Sequence, residues 1–598
     1  MPRLAAGTRM ELVQLRPTKG RVEANLQAVR EAVSDAAGRA DVVVFPETAL
    51  SGYFVEGGVK EVARSPRAVA AALGTPAPEG PDVVLGFYEE DGGPVYNAVA
   101  WFSPAGGAYR VVHCHRKVFL PTYGVFDEAR FVAAGDEFRA FDTRLGRVGM
   151  LICEEMFHSA APALLALDGA EVLVVVAASP ARDFRPKSGR PGNLELWDLV
   201  GRAAAVEHGV FVATCHLVGS EGGKLFPGGS TLYLPGGGTG ARGPLFEPGR
   251  VPLYLDRSRV HRERARTPLL ADFRSRLPHL LRSFERVSRR PGGEDARDRE
   301  GNAPPGAPPS PRREIRRQGE LPDPADSSVL DLDLPLVERA VLSFLRDEIV
   351  ERRGFRDVVV GVSGGVDSAV SVFLAARALG PEHVHAVLLP YATSSPESLA
   401  DGASVLEATG VAGRTIDITR IVEAYAGGEE PEISEPRRAN LLARVRAIVL
   451  WDQAARHNAL LLGTGNKSER LLGYFTWHAD DSPPVNPLGD LFKTQVWALA
   501  RHLGVPRAIV DKAPSADLIP GVHDEDEIGV SYPLADRILH WLLSGYRADE
   551  LAEAGFDPTS VELVRARLEG THWKRELPTV AMLTTSSIGE FYLRPVDY

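Results

Sequence analysis

Cysteine is scarce in this 598-residue chain: Cys114, Cys153 and Cys215 are the three, all within the first 215 residues. That number is too small, and odd, for a disulfide framework, so a reducing cytoplasm is expected and each is a candidate working thiol. Long apolar runs are missing as well. The longest purely aliphatic stretch, Val172–Ala178, is far short of the roughly 18 residues that a membrane helix needs. The first residues, MPRLAAGTRMELVQL, lack a secretory apolar region, because Arg9, Glu11 and Gln14 interrupt them. Nor is there an excess of positive charge. Lys and Arg total 68 against 79 Asp and Glu, a net −11, so neither nucleic acid nor a membrane is expected as a partner. No internal repeat is present.

What the chain does contain is length and alternation. It exceeds the usual domain size of about 100–200 residues several-fold, so at least two folding units are expected. Short β-branched runs alternate with helical spacing from MELVQL through DVVVF, PDVVLGFYEE, NAVAWFSP, RVGMLICEE, AEVLVVVAAS and VFVATCHLV, which reads as an α/β unit over 1–256. Composition then changes. Between Arg257 and Glu320 lie 17 arginines, no lysine and 9 acidic residues, a local sum of 17 − 9 = +8. The segment 257–324 is expected to be a helical arm, LLADFRSRLPHLLRSFERV, followed by a Pro- and Gly-rich linker. Its arginines are not interleaved with aromatics, which favours a solvated linker over an RNA contact. From 325 to 598 a second α/β unit is expected: LPLVERAVLSFLRDEIVERRG as an amphipathic helix, then a strand, a Gly-rich turn, a helix and HVHAVLLP as the next parallel strand.

The turn GVSGGVDS (Gly361, Val362, Ser363, Gly364, Gly365, Val366, Asp367, Ser368) joins a strand to a helix N-terminus. Glycines there let backbone N–H groups crowd an anion, and the helix dipole favours negative charge. It is neither the Lys-containing P-loop nor the dinucleotide G-x-G-x-x-G pattern. It resembles the pyrophosphate loop of the ATP pyrophosphatases. That likeness implies ATP cleavage to AMP and pyrophosphate, with Asp367 holding Mg²⁺.

The downstream run LLGTGNKSERLLGYFT…NPLGDLFKTQVWALARHLGVPRAIVDKAPSADLIPG is similar to the NAD synthetases over nearly all of 325–598. By that resemblance Thr464 contacts ATP and Glu469 joins Asp367 at the metal and also reaches deamido-NAD. Asn440 and Arg444, four apart on one helical face, together with Thr476 and Asp480, complete the deamido-NAD contacts, and Lys512 lies near the phosphates or the deamido-NAD. Three positions depart from the family pattern: Trp477, Ala479 where glycine is usual, and Val522 where glutamine is usual.

Upstream, FPE (Glu47), KVFLPTY (Lys117 to Tyr123) and ICEE (Cys153) bring a thiol, a lysine and a glutamate to three strand ends, and FDEARF adds a second glutamate, Glu128. A cysteine is mostly protonated at neutral pH and needs a base or cation beside it to attack. These segments resemble the nitrilase superfamily, in particular the glutaminase part of glutamine-dependent NAD synthetases. The resemblance implies Glu47 as general base, Lys117 as oxyanion stabiliser, Cys153 as nucleophile and Glu128 as supporting glutamate. Tyr123, Ser179 and Arg185 correspond to glutamine contacts, with Arg182 and Lys187 as rivals to Arg185. Cys114 and Cys215 match no motif and read as buried spectators. His113, His115 and His216 lack the spacing of a metal set.

The implied fold is a nitrilase-like α-β-β-α sandwich followed by a doubly wound parallel-sheet domain. The implied activity is ATP-dependent amidation of deamido-NAD to NAD⁺ with ammonia from glutamine, through an adenylate, in an at least dimeric cytoplasmic enzyme. A shielded route for ammonia is expected, since the free base would be mostly protonated near pH 7. Sulfur-inserting tRNA enzymes use cysteines near the same ATP loop, and none follows Cys215. Asparagine synthetases carry their nucleophile at the mature N-terminus, where this sequence has Pro2. GMP synthetases resemble a different amidotransferase class. A binding scaffold that has lost its chemistry is the remaining alternative.

Overall fold

The computed structural model describes residues 7–55, 58–289, 322–515, 518–519 and 521–576. The upstream β-branched runs pair into two six-stranded sheets. The first orders Gly249–Asp256, Gly7–Gln14, Val42–Val44, Asp82–Glu90, Val95–Ala105 and Ala108–Arg116. The second orders Thr239–Arg242, Thr231–Tyr233, Phe211–His216, Val172–Ala177, Gly146–Ile152 and Phe141–Thr143. Met10, Leu12, Val44 and Val84 of one sheet pack against Met150, Ile152, Val174 and Val176 of the other. Val22–Ala36 covers the outer face of the first sheet, and Ala160–Leu167 and Gly192–His208 cover that of the second. The result is an α-β-β-α sandwich. Val172–Ala177 pairs in parallel on both sides and is buried throughout, which is why it reads as an unbroken apolar run rather than an alternation.

The arginine-rich segment begins as two helices, Arg257–Arg266 and Leu269–Ser288. Several of its arginines tie it to the sandwich. Arg257 pairs with Glu171 at 2.9 Å, Arg264 donates to the carbonyls of His208 and Ala170, and Arg274 to that of Leu167. The Pro- and Gly-rich stretch expected to be linker lies outside the described residues.

The second sheet system is all parallel, in the order Ala412–Thr415, Val384–Leu388, Val358–Gly361, Leu460–Leu461. Helices Leu334–Leu345, Val366–Leu379 and Lys493–Leu503 cover one face, and Thr419–Ala426 and Glu435–His457 the other. Strand order reverses between Val358–Gly361 and Leu460–Leu461, the crevice where ligands of doubly wound sheets bind. One expected element differs. The amphipathic helix stops at Leu345 and continues as a π-helical turn, Arg346–Glu351. Asp347 and Glu348 of that turn are drawn to the first body, onto Arg16 and Ser220. The two bodies also share apolar contacts, with Leu336 and Ala340 packed against Phe246 and Phe184. Among the described residues, no helix is long and apolar enough to cross a membrane.

Candidate active site

Three of the upstream functional side chains stand just past strand ends. Glu47 follows Val42–Val44, Lys117 follows Ala108–Arg116, and Cys153 follows Gly146–Ile152 as the first residue of a 3₁₀ turn. Cys153 has φ +48° and Thr48, beside Glu47, φ +50°, left-handed conformations that cost free energy in non-glycine residues. Gly86 has a steric reason to be glycine: a Cβ there would come within 2.7 Å of the Cα of Glu47.

Lys117 is fully buried and bridges two carboxylates, with its Nζ 2.8 Å from Glu47 Oε1 and 2.7 Å from Glu128 Oε1. Asn97 Nδ2 donates to the same Glu47 oxygen at 2.8 Å, and the Ala178 N–H donates to Glu47 Oε2 at 2.7 Å. The Tyr53 hydroxyl donates to Glu128 through a short hydrogen bond. Burial pushes the Cys153 thiol up, and the Glu47 charge adds to that against the pull of Lys117. Burial also raises the Glu47 carboxyl. Lys117 is disfavoured by burial, but Glu128 and Glu47 outweigh it and hold the ammonium charged. The resting site therefore holds a protonated thiol beside a carboxylate of increased basicity, the pairing that general-base activation requires.

Residues missed in the sequence frame this group. Glu155 accepts from the Ile152 N–H at 2.7 Å and the Val118 N–H at 2.7 Å, and its carboxylate meets His115 Nε2 at 2.8 Å. It thus fixes the segments carrying Cys153 and Lys117 to one another. Only the doubled glutamate of ICEE signalled it. Asn97 had no motif to reveal it.

Of the expected glutamine contacts, Tyr123 is 55 % exposed and donates to Glu154 at 2.7 Å, and Ser179 accepts from Asn193 at 3.0 Å. Arg185 is exposed and paired with Asp183, whereas Arg182 lies 5.7 Å from the centre of the Phe126 ring, on the Tyr123 side. Lys187 is exposed, with φ +62°. Cys215 is buried with its thiol toward the Val44 carbonyl, but Cys114 is only partly buried, a correction to the expected pair of buried spectators. Its strand, Ala108–Arg116, is at the edge of the sheet.

Downstream, Gly361 ends its strand and Val362 to Gly365 turn into the helix that begins at Val366. Gly364 has φ +82°, and a Cβ there would meet the Ser398 carbonyl oxygen at 2.3 Å. Ser363 and Ser368 close the turn, Oγ to Oγ at 3.2 Å, while the Gly365 N–H donates to Ser363 Oγ at 3.2 Å. Thr464, Asn466 and Glu469 lie beyond Leu460–Leu461, the neighbouring strand at the order reversal. Asn466 Nδ2 donates to Asp367 at 2.9 Å, and its Oδ1 accepts the Glu469 N–H in a capping box.

Lys493, 3 % exposed, was not foreseen. Its Nζ sits 2.5 Å from Asp367 and 3.1 Å from Glu469. Burial, with the charges of Asp367 and Asp524, pushes the Glu469 carboxyl up to about 7 even with Lys493 beside it. Two convergent carboxylates that already require a cationic neighbour fit a hard divalent ion, whose remaining ligands would be water and phosphate oxygens. No group of three or more His, Cys, Asp or Glu side chains among the described residues forms a complete protein-only cage.

Asn440 and Arg444 share a helix face, Arg444 donating to the Asn440 carbonyl at 3.3 Å and to that of Trp477 at 3.4 Å. The Thr476 N–H donates to Asp480 at 2.8 Å, and Lys512 pairs with Asp401 at 2.7 Å. The departures from pattern have local partners. Ala479 packs on Ala443 and Ala447, Trp477 stacks on His478 and meets Trp573 edge-on, and the Val522 carbonyl accepts from Ser515.

Family models match two stretches, carbon-nitrogen hydrolase over residues 10–262 and NAD synthase over residues 337–578. A glutamine-dependent NAD(+) synthetase of Rhodobacter capsulatus is 32% identical over 597 residues, 95% of this chain and 94% of that protein. An NH(3)-dependent NAD(+) synthetase of Trichlorobacter lovleyi is 44% identical over 263 residues, 44% of this chain and 95% of that protein. In fold, the chain is similar to a glutamine-dependent NAD+ synthetase of Acinetobacter baumannii solved with ADP, at 23% identity and a TM-score of 0.68, covering 98% of each chain.

Proposed function

The chain belongs to the glutamine-dependent NAD(+) synthetases, and from that membership we infer how its two sites divide the work. It uses ATP to make NAD⁺ with glutamine as nitrogen donor. We assign glutamine hydrolysis to 1–256, a connecting arm to 257–324, and synthesis to 325–598, in an at least dimeric cytoplasmic enzyme joined through its synthetase part.

In the first step Cys153 Sγ attacks the glutamine side-chain carbonyl and Glu47 takes the thiol proton. The Lys117 ammonium stabilises the tetrahedral oxyanion, a preorganised charge worth far more in a buried site than in water. Glu47 returns the proton to the departing ammonia, and water then cleaves the thioester to glutamate. Glu128, held by Tyr53 and Asn97, keeps Lys117 in position. The meeting of Cys153, Lys117 and Glu47 at three strand ends is the observation that carries this reading.

In the second site the deamido-NAD carboxylate attacks the α-phosphorus of ATP, releasing pyrophosphate, and ammonia displaces AMP to form the amide. Backbone N–H groups of 363–365 and the hydroxyls of Ser363 and Ser368 receive the phosphates. Asp367 and Glu469 would hold Mg²⁺, which when bound neutralises charge on the pyrophosphate. Lys493 orients both carboxylates. Asn440, Arg444, Thr476, Asp480 and Lys512 contact deamido-NAD, and Thr464 contacts ATP.

Assay of the full chain with deamido-NAD, ATP and Mg²⁺, supplied with either glutamine or ammonium, tests the reading directly. NAD⁺ and pyrophosphate are expected in equal amounts with both nitrogen sources, and glutamate with glutamine alone. ATP cleavage that never yields NAD⁺ would overturn it. For the glutamine carboxylate, the position of Arg182 beside the Tyr123 side of the loop makes it the preferred cation over Arg185. Arg182→Ala is expected to raise the glutamine KM by about tenfold or more, the loss of one charged hydrogen bond. Arg185→Ala is expected to raise it less, and the reverse order would return the role to Arg185.

A further inference from the structure

Behind Glu128, a line of buried polar contacts leaves the glutaminase site and ends in the other body. Tyr53, whose hydroxyl meets Glu128, gives its N–H to the Glu221 carboxylate at 3.0 Å, and the Phe54 N–H donates there at 2.9 Å. Glu221 is 3 % exposed and closes the short strand Val218–Glu221. It stands close against the turn before Tyr53: a Cβ on Gly52 would come within 2.7 Å of Glu221 Oε1. Its neighbour Ser220 donates at 2.7 Å to Glu348 of the synthetase body, itself 3 % exposed. Arg352 and Arg353 hold Glu348 at 3.1 and 2.6 Å, and the charge of Arg352 also reaches Glu221. Beside them Asp347 meets Arg16 at 3.0 Å.

Two features make this more than adhesion. Buried ion networks are poor glue, because well-packed apolar residues hold an interface equally well. The apolar contact of Leu336 and Ala340 with Phe246 already provides that here. Further, Asp347 and Glu348 are presented by the π-helical turn Arg346–Glu351, a local irregularity of a kind found often at functional positions. The strand that opens the phosphate loop, Val358–Gly361, begins a few residues later.

We propose that Glu348 of the synthetase body and Glu221 of the glutaminase body are positioning residues for glutamine hydrolysis. Glu348 seats Ser220 and the end of its strand, Glu221 then fixes the Tyr53 backbone, and the Tyr53 hydroxyl aligns Glu128 and so Lys117. The oxyanion stabiliser is thereby in register when the synthetase body is seated. This inference rests on the glutaminase assignment given above.

The test uses the full chain with ATP, deamido-NAD and Mg²⁺, following glutamate and NAD⁺ with glutamine or ammonium as donor. Glu348→Gln is expected to lower kcat for glutamine by about tenfold, with the glutamine KM and the ammonium-driven rate within about twofold of the parent. Ser220→Ala, which removes only the bridging hydroxyl, is expected to act in the same direction by about threefold, and carries the test if the first variant does not fold. Parallel loss with both donors, a change in glutamine KM alone, or no change would overturn the proposal. A parent chain that releases no glutamate from glutamine would instead defeat the glutaminase assignment, a separate result.

Discussion

Replacing Cys153 by alanine is expected to abolish NAD⁺ formation from glutamine while leaving formation from ammonium within about twofold of the parent rate. The side chain is small and sits at a strand end, so its loss removes a nucleophile without emptying much core. Lys117 keeps both its carboxylates, and no buried charge is orphaned. The expected drop in glutamate release is on the order of 10⁴-fold or more, because nucleophile, base and oxyanion group act as a unit. Glu47→Gln should approach the same loss, since burial holds the thiol protonated and the carboxylate assigned to take its proton is gone. Glutamate release from the alanine variant at near the parent rate would remove Cys153 from the mechanism.

The second large effect is expected at Lys493. Lys493→Met preserves length and burial but leaves Asp367 and Glu469 facing each other without a cation. Breaking a buried charge set by removing one partner costs about 3–5 kcal/mol, and Glu469, with a carboxyl already up at about 7, would take a proton in response. Pyrophosphate release and NAD⁺ formation should fall with both nitrogen donors by about 10³-fold, the size expected when a charge-stabilising group leaves a dry site. The binding of Mg²⁺ should weaken with them. Glutamine hydrolysis measured alone should fall far less, because Cys153 lies in the other body. Equal loss at both sites would mean that Lys493 supports the whole fold and not one site.

Why some of this was legible in the sequence and some was not follows from how the residues work. Phosphate loops are local: GVSGGVDS must be contiguous to wrap one anion, so strand, turn and helix were visible together. Glu47, Lys117 and Cys153 are far apart in the chain, but each ends an apolar strand, and the abrupt polar residue marked them. Lys493 gave no such mark. It opens a helix after LF like many surface lysines, and only the tertiary fold shows that it is buried between two carboxylates. Glu155 and Asn97 act on backbone groups or on other functional side chains, and such partners carry no spacing rule. The π-helical turn at 346–351 was equally hidden. Its apolar periodicity continues that of Leu334–Leu345, and what diverts it is a contact with Ser220, more than a hundred residues upstream.

The claim that two chemistries are joined in one chain is tested most directly with amide-labelled ¹⁵N-glutamine, deamido-NAD, ATP and Mg²⁺ in ammonium-free buffer. One glutamate and one pyrophosphate should appear for each NAD⁺, and the new carboxamide should carry ¹⁵N. Glutamate and pyrophosphate released without labelled NAD⁺ would contradict the account.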